Sequence, residues 1–535
     1  SKAGASDDKA LDAAIHAGDF SAYLVDCSTW LSQKVPAESN RITEAALKML
    51  LEDERVTRTV CQWRLISKSG VVALNEFAMR NSDSQAFLAW LMKNTQAMEI
   101  YLEASTPTGL RAREDGHWTP RPGSLEIWKQ IYFADPDSRD GLYLRLAVGA
   151  AIGPPGSNSP GAGGQQVHSD PLTRYTYFKK AHQNKALLPS FDTLNAWELS
   201  KVVSSHASEE DLTWGREMIN SFRPDLRQGE KVVQMVSLVW RRGSPVPYSN
   251  MATVLQGGGK CGPRSSFGVF INQAFGVPAI GVGQPGHACV AWRDPNGAWQ
   301  VGYGRGWVVS KLDGLSGPEF VEGSAARSHA AQFSQVEYLR GLAAAMNSHN
   351  KTSVIAAIAR KLAQEAPPEI AVAAPTGEIA TPPPPEAPVE RGPFKQVDGV
   401  IHVDAGAFSR TEGLGMYSHQ PGVMLMDSPY GGKQVYFPQQ MQSCVAEYDI
   451  EAPASGKYEI IMTAAAINDG QILQVGSDAF NAVVYVKIPM SHGLWQTTSP
   501  MDVKLVEGLQ KMQISTVPNQ RGVALRAFEL RPKAK

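Results

Sequence analysis

Two side chains of this sequence have the type and setting that nucleophilic catalysis requires. Cys261 follows Gly257-Gly258-Gly259-Lys260 and precedes Gly262-Pro263-Arg264-Ser265-Ser266. Phe267, Phe270, Ile271 and Phe275 then recur at helical spacing, and Gly276 with Pro278 ends the run. That pattern predicts a helix with Cys261 at its mouth. A thiol attacks only as the thiolate, a form favoured by a helix N-terminus and by a neighbouring imidazole. Lys260 adds a positive charge beside the sulfur. His287, in Gly286-His287-Ala288, is the residue suited to take the thiol proton.

The elements that must position these residues are legible. Ala279–Val282 reads as a strand, and His287–Trp292 as a second with alternating Ala288, Val290 and Trp292. Asp294-Pro295-Asn296-Gly297 is a turn, in which Pro sets φ and Gly supplies a positive φ. Ala298–Tyr303 then returns antiparallel. Cys289 shares the strand face of His287 and reads as a small buried apolar side chain.

A cysteine on a helix, followed by a hairpin carrying histidine, resembles the papain-like α+β core of the transglutaminase-like superfamily. The resemblance rests on Lys260-Cys261-Gly262, Gly276-Val277-Pro278-Ala279, Gly286-His287-Ala288 and Gly297-Ala298-Trp299, and covers residues 225 to 315. It implies that Cys261 is the nucleophile and His287 the base. Gln256, just upstream of the cysteine, is implied as an oxyanion donor beside the Cys261 N–H. The substrate implied is a protein or peptide amide, with water or a second amine resolving the thioester. Members of the superfamily usually carry an aspartate on the return strand to orient the histidine. Here that stretch reads Gly302-Tyr303-Gly304. Tyr303 is one stand-in; Asp294, Asn296 and Asp313 are others. The alternative is a surface-binding protein that keeps the fold and has lost the chemistry.

Other chemistries find less support. The glycine run lacks the residues of a phosphate loop, with Val254 and Cys261 at the deciding positions. Five cysteines and eleven histidines form no C-x-x-C pair and no H-E-x-x-H helix, so no metal site and no cofactor is expected. A glycoside hydrolase would need paired carboxylates, and no convincing pair stands out. A net charge of −1 gives no electrostatic case for nucleic acid. No apolar run reaches the length of a membrane span, and no signal peptide is read at the start. A secreted or cell-envelope location is the expectation.

The 535 residues suit several domains of a multidomain α+β protein. The expected division is a mainly helical region over 1–210, the transglutaminase-like core over 211–345, a helix and Pro-rich linker over 346–395, and an all-β sandwich over 396–535. In the first region, Ser82-Asp83-Ser84-Gln85 reads as a capping box, and Phe87, Trp90, Leu91 and Met98 as one helix face. Cys27 and Cys61 could form one disulfide. Residues 106–138 read as irregular, Leu142–Ile152, Leu194–Val203 and Leu212–Ile219 as helices, 153–167 as a loop, and Gly229–Arg242 as a helix leading to Val246-Pro247. Ala366-Pro367-Pro368 and Thr381-Pro382-Pro383-Pro384-Pro385 mark the linker.

In the last region, Cys444–Ile450, Tyr458–Met462, Val483–Ile488, Met501–Leu505, Lys511–Thr516 and Ala524–Leu530 have the spacing of short sandwich strands. It resembles the galactose-binding-like carbohydrate-binding modules of families 6 and 35. The matching residues are Val403-Asp404-Ala405, Ser455-Gly456-Lys457-Tyr458, Val486-Lys487-Ile488-Pro489, Leu494-Trp495-Gln496-Thr497 and Leu505-Val506-Glu507-Gly508. The resemblance implies a polysaccharide or cell-surface glycan as partner. Sugar faces stack on aromatic rings, which makes Trp495, Tyr417 and Tyr430 the candidate ligand-binding residues.

Overall fold

The structure, a computed structural model, describes residues 8–106, 118–157, 169–241, 248–312, 315–365, 395–413, 422–439, 442–478 and 480–533. The linker 366–393, Val246-Pro247, most of the 153–167 loop and Asp313 lie outside these. The chain is a multidomain α+β protein in two compact units. One comprises residues 1–209 and 272–375, the other 210–271 and 376–535.

The first unit is mostly helical. The segment Leu142-Tyr143-Leu144-Arg145-Leu146-Ala147-Val148 has no polar face because it is buried almost all round, as the helix Gly141–Ile152. It crosses the helix Ala196–Val203 closely: a Cβ on Gly149 would stand 3.0 Å from the Leu199 Cβ. The helix Ser82–Lys93 is capped one residue earlier than the Ser82 box, by Asn81, whose side chain accepts from Ser84 N at 2.8 Å. Within the stretch read as irregular, Ser124–Ala134 is a helix that buries Trp128, Ile131 and Tyr132, a helical spacing masked by the surrounding Gly and Pro. Trp128 meets Phe87 edge-on at 5.4 Å between ring centroids. Cys27 and Cys61 form no disulfide. Both are buried thiols, pushed up to about 12 by burial, and the Cys61 sulfur lies 3.5 Å from the Tyr338 hydroxyl.

This unit also holds an antiparallel sheet of β1 (Ala279–Gln284), β2 (His287–Arg293), β3 (Trp299–Gly302), β4 (Lys311–Leu312) and β5 (Leu315–Ser316), in the order β3-β2-β1-β4-β5. Gly276 at φ +79 stops the preceding helix. Pro285 and Gly286, the latter at φ +66, turn β1 into β2, with Gln284 paired to His287. Asp294 caps the next turn, accepting from Asn296 N (2.9 Å), Ala298 N (3.0 Å) and Gln300 Nε2 (3.0 Å), while Gly297 sits at φ +94. The sheet is tied to the helices by Arg293, whose Nε lies 2.6 Å from the buried Glu198 carboxylate. Glu198 is itself the third residue of a capping box with Asn195.

The second unit has three layers. Its strands are β6 (Lys395–Val397), β7 (Val400–Asp404), β8 (Arg410–Glu412), β9 (Met424–Asp427), β10 (Lys433–Phe437), β11 (Val445–Ala452) and β12 (Gly456–Ala466). They continue as β13 (Gln471–Ser477), β14 (Phe480–Ile488), β15 (Gln496–Thr497), β16 (Met501–Leu505), β17 (Gly508–Thr516) and β18 (Val523–Pro532). One sheet runs β15-β12-β18-β10-β9, with β16 also on β12, and β7 then β6 beside β18. The other runs β14-β13-β17-β11-β8. The inward residues of both, among them Tyr448, Ile460, Met462, Leu473, Val486, Ile514 and Phe528, form the core between them.

The third layer is the segment 210–240, set on the far face of the larger sheet. It begins in the helix Glu209–Phe222. There Phe222 meets Tyr436 edge-on, the fully buried Gln434 donates to Ser221 O at 2.6 Å, and Trp214 Nε1 donates to His492 O at 3.1 Å. The helix expected over Gly229–Arg242 is instead two 3-10 stretches, Pro224–Glu230 and Val232–Leu238. Gln228 and Gly229, the latter in the left-handed region at φ +61, leave helical geometry within the first of them, so no continuous helix forms.

Candidate functional site

Cys261 is the first residue of the helix Cys261–Ala274, and it is half-buried. Phe267, Phe270 and Ile271 anchor that helix, with Phe270 stacked on Trp214 at 6.0 Å. The glycines before the cysteine serve a close backbone approach. Gly258 (φ +65) follows the helix Met251–Gly257, and a Cβ there would lie 2.1 Å from the Trp240 carbonyl. Gly259 N donates to that same carbonyl at 2.7 Å, and the Tyr248 hydroxyl donates to Gly258 O. Gln256 occupies the last turn of the helix Met251–Gly257 and is half-buried.

His287 opens β2 and is half-buried. Its Nε2 faces the backbone carbonyl of Tyr303 within hydrogen-bond distance. A carbonyl only accepts, so Nε2 carries a proton, and Nδ1 is the ring nitrogen left to take up or release another. The structure thus brings His287 and Tyr303 together through the main chain. The Tyr303 ring is 46% exposed, and its backbone sits at φ +62, in the left-handed region unusual for a bulky residue. Of the other groups weighed for the orienting role, Asp294 and Asn296 belong to the β2–β3 turn. Cys289 is fully buried beneath the loop that follows β3, where a Cβ on Gly304 would stand 2.9 Å from its sulfur.

In the second unit, Trp495 is half-buried between β14 and β15, and its indole N–H is buried with no hydrogen-bond partner among the described residues. Tyr430, in the β9–β10 turn, is 45% exposed. Arg526 lies 5.5 Å from its ring centroid and donates to its carbonyl at 3.1 Å. Tyr417 lies outside the described residues. Asp404 caps its own turn through Gly406 N at 2.9 Å.

One aromatic was missed by the sequence reading. Tyr485, on the edge strand β14, is 54% exposed on the outer face of the five-stranded sheet. Its row continues through Gln474, Ser515 and Val445. In the next row Glu447 pairs with Lys511 and accepts from Gln513 at 3.0 Å, which together, Lys511 foremost, hold its carboxyl below the usual range. The signal was present, since Val484, Val486 and Ile488 alternate inward while Val483, Tyr485 and Lys487 alternate outward. Between the edges β14 and β16 opens a cleft of about 400 Å³, with Lys457, Lys504 and Asp502 on its rim and Val475, Val503 and Met512 in its floor.

Among the described residues no cluster of His, Cys, Asp and Glu could hold a metal ion, and no helix is long and apolar enough to cross a membrane. No protein-family model matches the chain, and no curated protein matches it. Over a quarter of its length, the chain is similar to carbohydrate-binding modules of families 6 and 35. One is the C-terminal CBM6 of LamC, a laminarinase of Zobellia galactanivorans, at 17% identity and TM-score 0.21, over 25% of this chain and 98% of that one. A second is CBM6cm-2 of Cellvibrio mixtus lichenase 5A, at 20% identity and TM-score 0.21, over 25% and 97%. A family 35 module of Clostridium thermocellum gives 12% and 0.21, over 25% and 98%.

Proposed function

We propose that this protein is a cysteine acyltransferase or amidase of transglutaminase-like layout, with Cys261 as nucleophile and His287 as base, acting on protein or peptide amides. The observation that supports it most is the Nε2–H bond to the Tyr303 carbonyl, which leaves Nδ1 as the proton acceptor. In the proposed reaction Nδ1 takes the Cys261 proton and the thiolate attacks the amide carbon. The oxyanion is met by the Cys261 N–H and the Gln256 side chain. Nδ1–H then protonates the departing amine, and water or a second amine opens the thioester. The test is the pH dependence of Cys261 alkylation in wild type and His287→Ala. A reactive plateau extending below about pH 7 in wild type, lost in the variant, supports the pair. Matching profiles that both rise near the ordinary thiol pKa of about 8.5 would rule it out.

A second reading concerns the β-unit, favoured by the exposed Tyr485 beside a row of amides and a carboxylate. Its outer sheet face binds a polysaccharide, which would place the chain at a glycan-rich surface outside the cell or in its envelope. Trp495 and Tyr430 are further stacking candidates. Tyr485→Ala should weaken binding by about 1–3 kcal/mol if the ring stacks on sugar. Affinity electrophoresis against a polysaccharide panel measures it, and a panel with no binder would end this reading.

A further inference from the structure

The Tyr303 carbonyl meets His287 only because the loop after β3 leaves the strand at Tyr303. Gln284, 8% exposed at the end of β1, reaches across to this loop. Its Oε1 accepts from Arg305 N at 2.8 Å. Its Nε2 donates to Gly306 O at 2.9 Å and to Ser310 Oγ at 3.1 Å, and Ser310 Oγ donates in turn to Gly306 O at 2.8 Å. Gly304 fits between: a Cβ there would stand 2.7 Å from Gln284 Oε1 and 2.9 Å from the Cys289 sulfur. Gln284 also pairs with His287 across the β1–β2 turn. One side chain therefore joins the strand end that carries the imidazole to the loop that carries its acceptor. An apolar residue would fill the space but leave Arg305 N without this acceptor and Gly306 O without this donor, so the loop would relax.

We propose that Gln284 is a positioning residue for His287, clamping the 303–310 loop so that a main-chain carbonyl does what an aspartate does elsewhere. The consequence for Cys261 rests on the reading of His287 as its base; the clamp itself does not. Strain supports the clamp, since a bulky residue at φ +62 persists only where its surroundings hold it.

The experiment compares the wild-type protein of 535 residues with Gln284→Leu, Gln284→Glu and Gly304→Ala, using isotope-labelled histidine. The His287 Nε2–H proton resonance is assigned by its loss in His287→Ala. In wild type it should be protected from solvent exchange. In Gln284→Leu and in Gly304→Ala it should exchange about tenfold faster or vanish, since a side-chain proton without its acceptor opens freely to water. Gln284→Glu, which keeps the acceptor for Arg305 N, should fall between. Cys261 alkylation should drop toward the His287→Ala rate in step. Circular dichroism checks folding, and Gly304→Ala carries the test if Gln284→Leu does not fold. A protected Nε2–H in folded Gln284→Leu or Gly304→Ala overturns the proposal. If the resonance responds while alkylation ignores even His287→Ala, the clamp stands and the base reading falls.

Discussion

A neutral carbonyl is a weaker partner for an imidazolium than a carboxylate, because it brings a dipole where the other brings a charge. It still fixes the tautomer, and so decides which ring nitrogen offers a lone pair. Elsewhere in the chain single residues show the opposite balance, with charge forced into poor solvent. Arg327 is 3% exposed, and burial pulls its guanidinium down to about 10. It donates to the carbonyls of Gly323 (2.8 Å), Glu103 (3.2 Å) and Thr106, and lies 4.6 Å from the Trp197 ring centroid. Burial raises the carboxyl of Glu103 from 4.5 to about 7, against the opposing charge of Arg327. Below 4.5 this carboxyl is protonated in both folded and unfolded chains. From 4.5 to about 7 only the unfolded chain ionises, so the group's contribution to stability falls as pH rises, and the loss is complete above about 7. Glu103→Gln should flatten that part of the stability–pH curve and make the protein more stable than wild type above neutral pH. Urea unfolding across the range measures it; a variant curve parallel to wild type would refute the assignment.

At the scale of elements, β2 and the helix Ala196–Val203 act as one piece. Arg293 ends β2, Glu198 belongs to the first turn of the helix, and their side chains are 12% and 5% exposed. The same carboxylate accepts from Asn195 N at 3.0 Å. Gln273 adds a second tie, its Nε2 donating to Lys201 O at 2.8 Å and Ala279 O at 3.1 Å. Removing one member of a buried pair strands the other charge. Glu198→Ala should therefore cost about 3 kcal/mol, near the lower end for such pairs because Arg293 keeps some solvent. A drop under about 1 kcal/mol in chemical unfolding would show that the pair is surface-like.

At the scale of the molecule, the segment that presents Cys261 and the segment that presents His287 adjoin in sequence and are parted between units at residues 271 and 272. The cysteine's supports come from its own unit. Trp240 gives its carbonyl to Gly259, and the guanidinium of Arg521, in the β17–β18 loop, stacks 3.5 Å from the Trp240 ring centroid. The β-unit is thus a buttress of the cysteine loop as well as a surface in its own right. Its larger sheet is buried on both faces where β18 begins, which explains the unbroken apolar run Val523-Ala524-Leu525.

Much of this was determined by the sequence alone, wherever the signal is local and periodic. Phe267, Phe270 and Ile271 announce the Cys261 helix, Asp294 to Gly297 announces its hairpin turn, and Met501–Leu505 was readable as a strand to the residue. Tertiary structure decided what has no local signature. The acceptor of His287 is a backbone carbonyl, a group every residue owns, so no residue type marks it, and only the Gln284 clamp selects Tyr303 to offer it. The cap at Asn81 and the buried helix Ser124–Ala134 were hidden by stronger neighbouring signals. The union of residues 210–271 with the β-sheets depends on Phe222, Trp214 and Trp240 finding partners at Tyr436, His492 and Arg521. Such contacts join residues hundreds of positions apart, and shape and solvent exclusion choose them after the elements have formed.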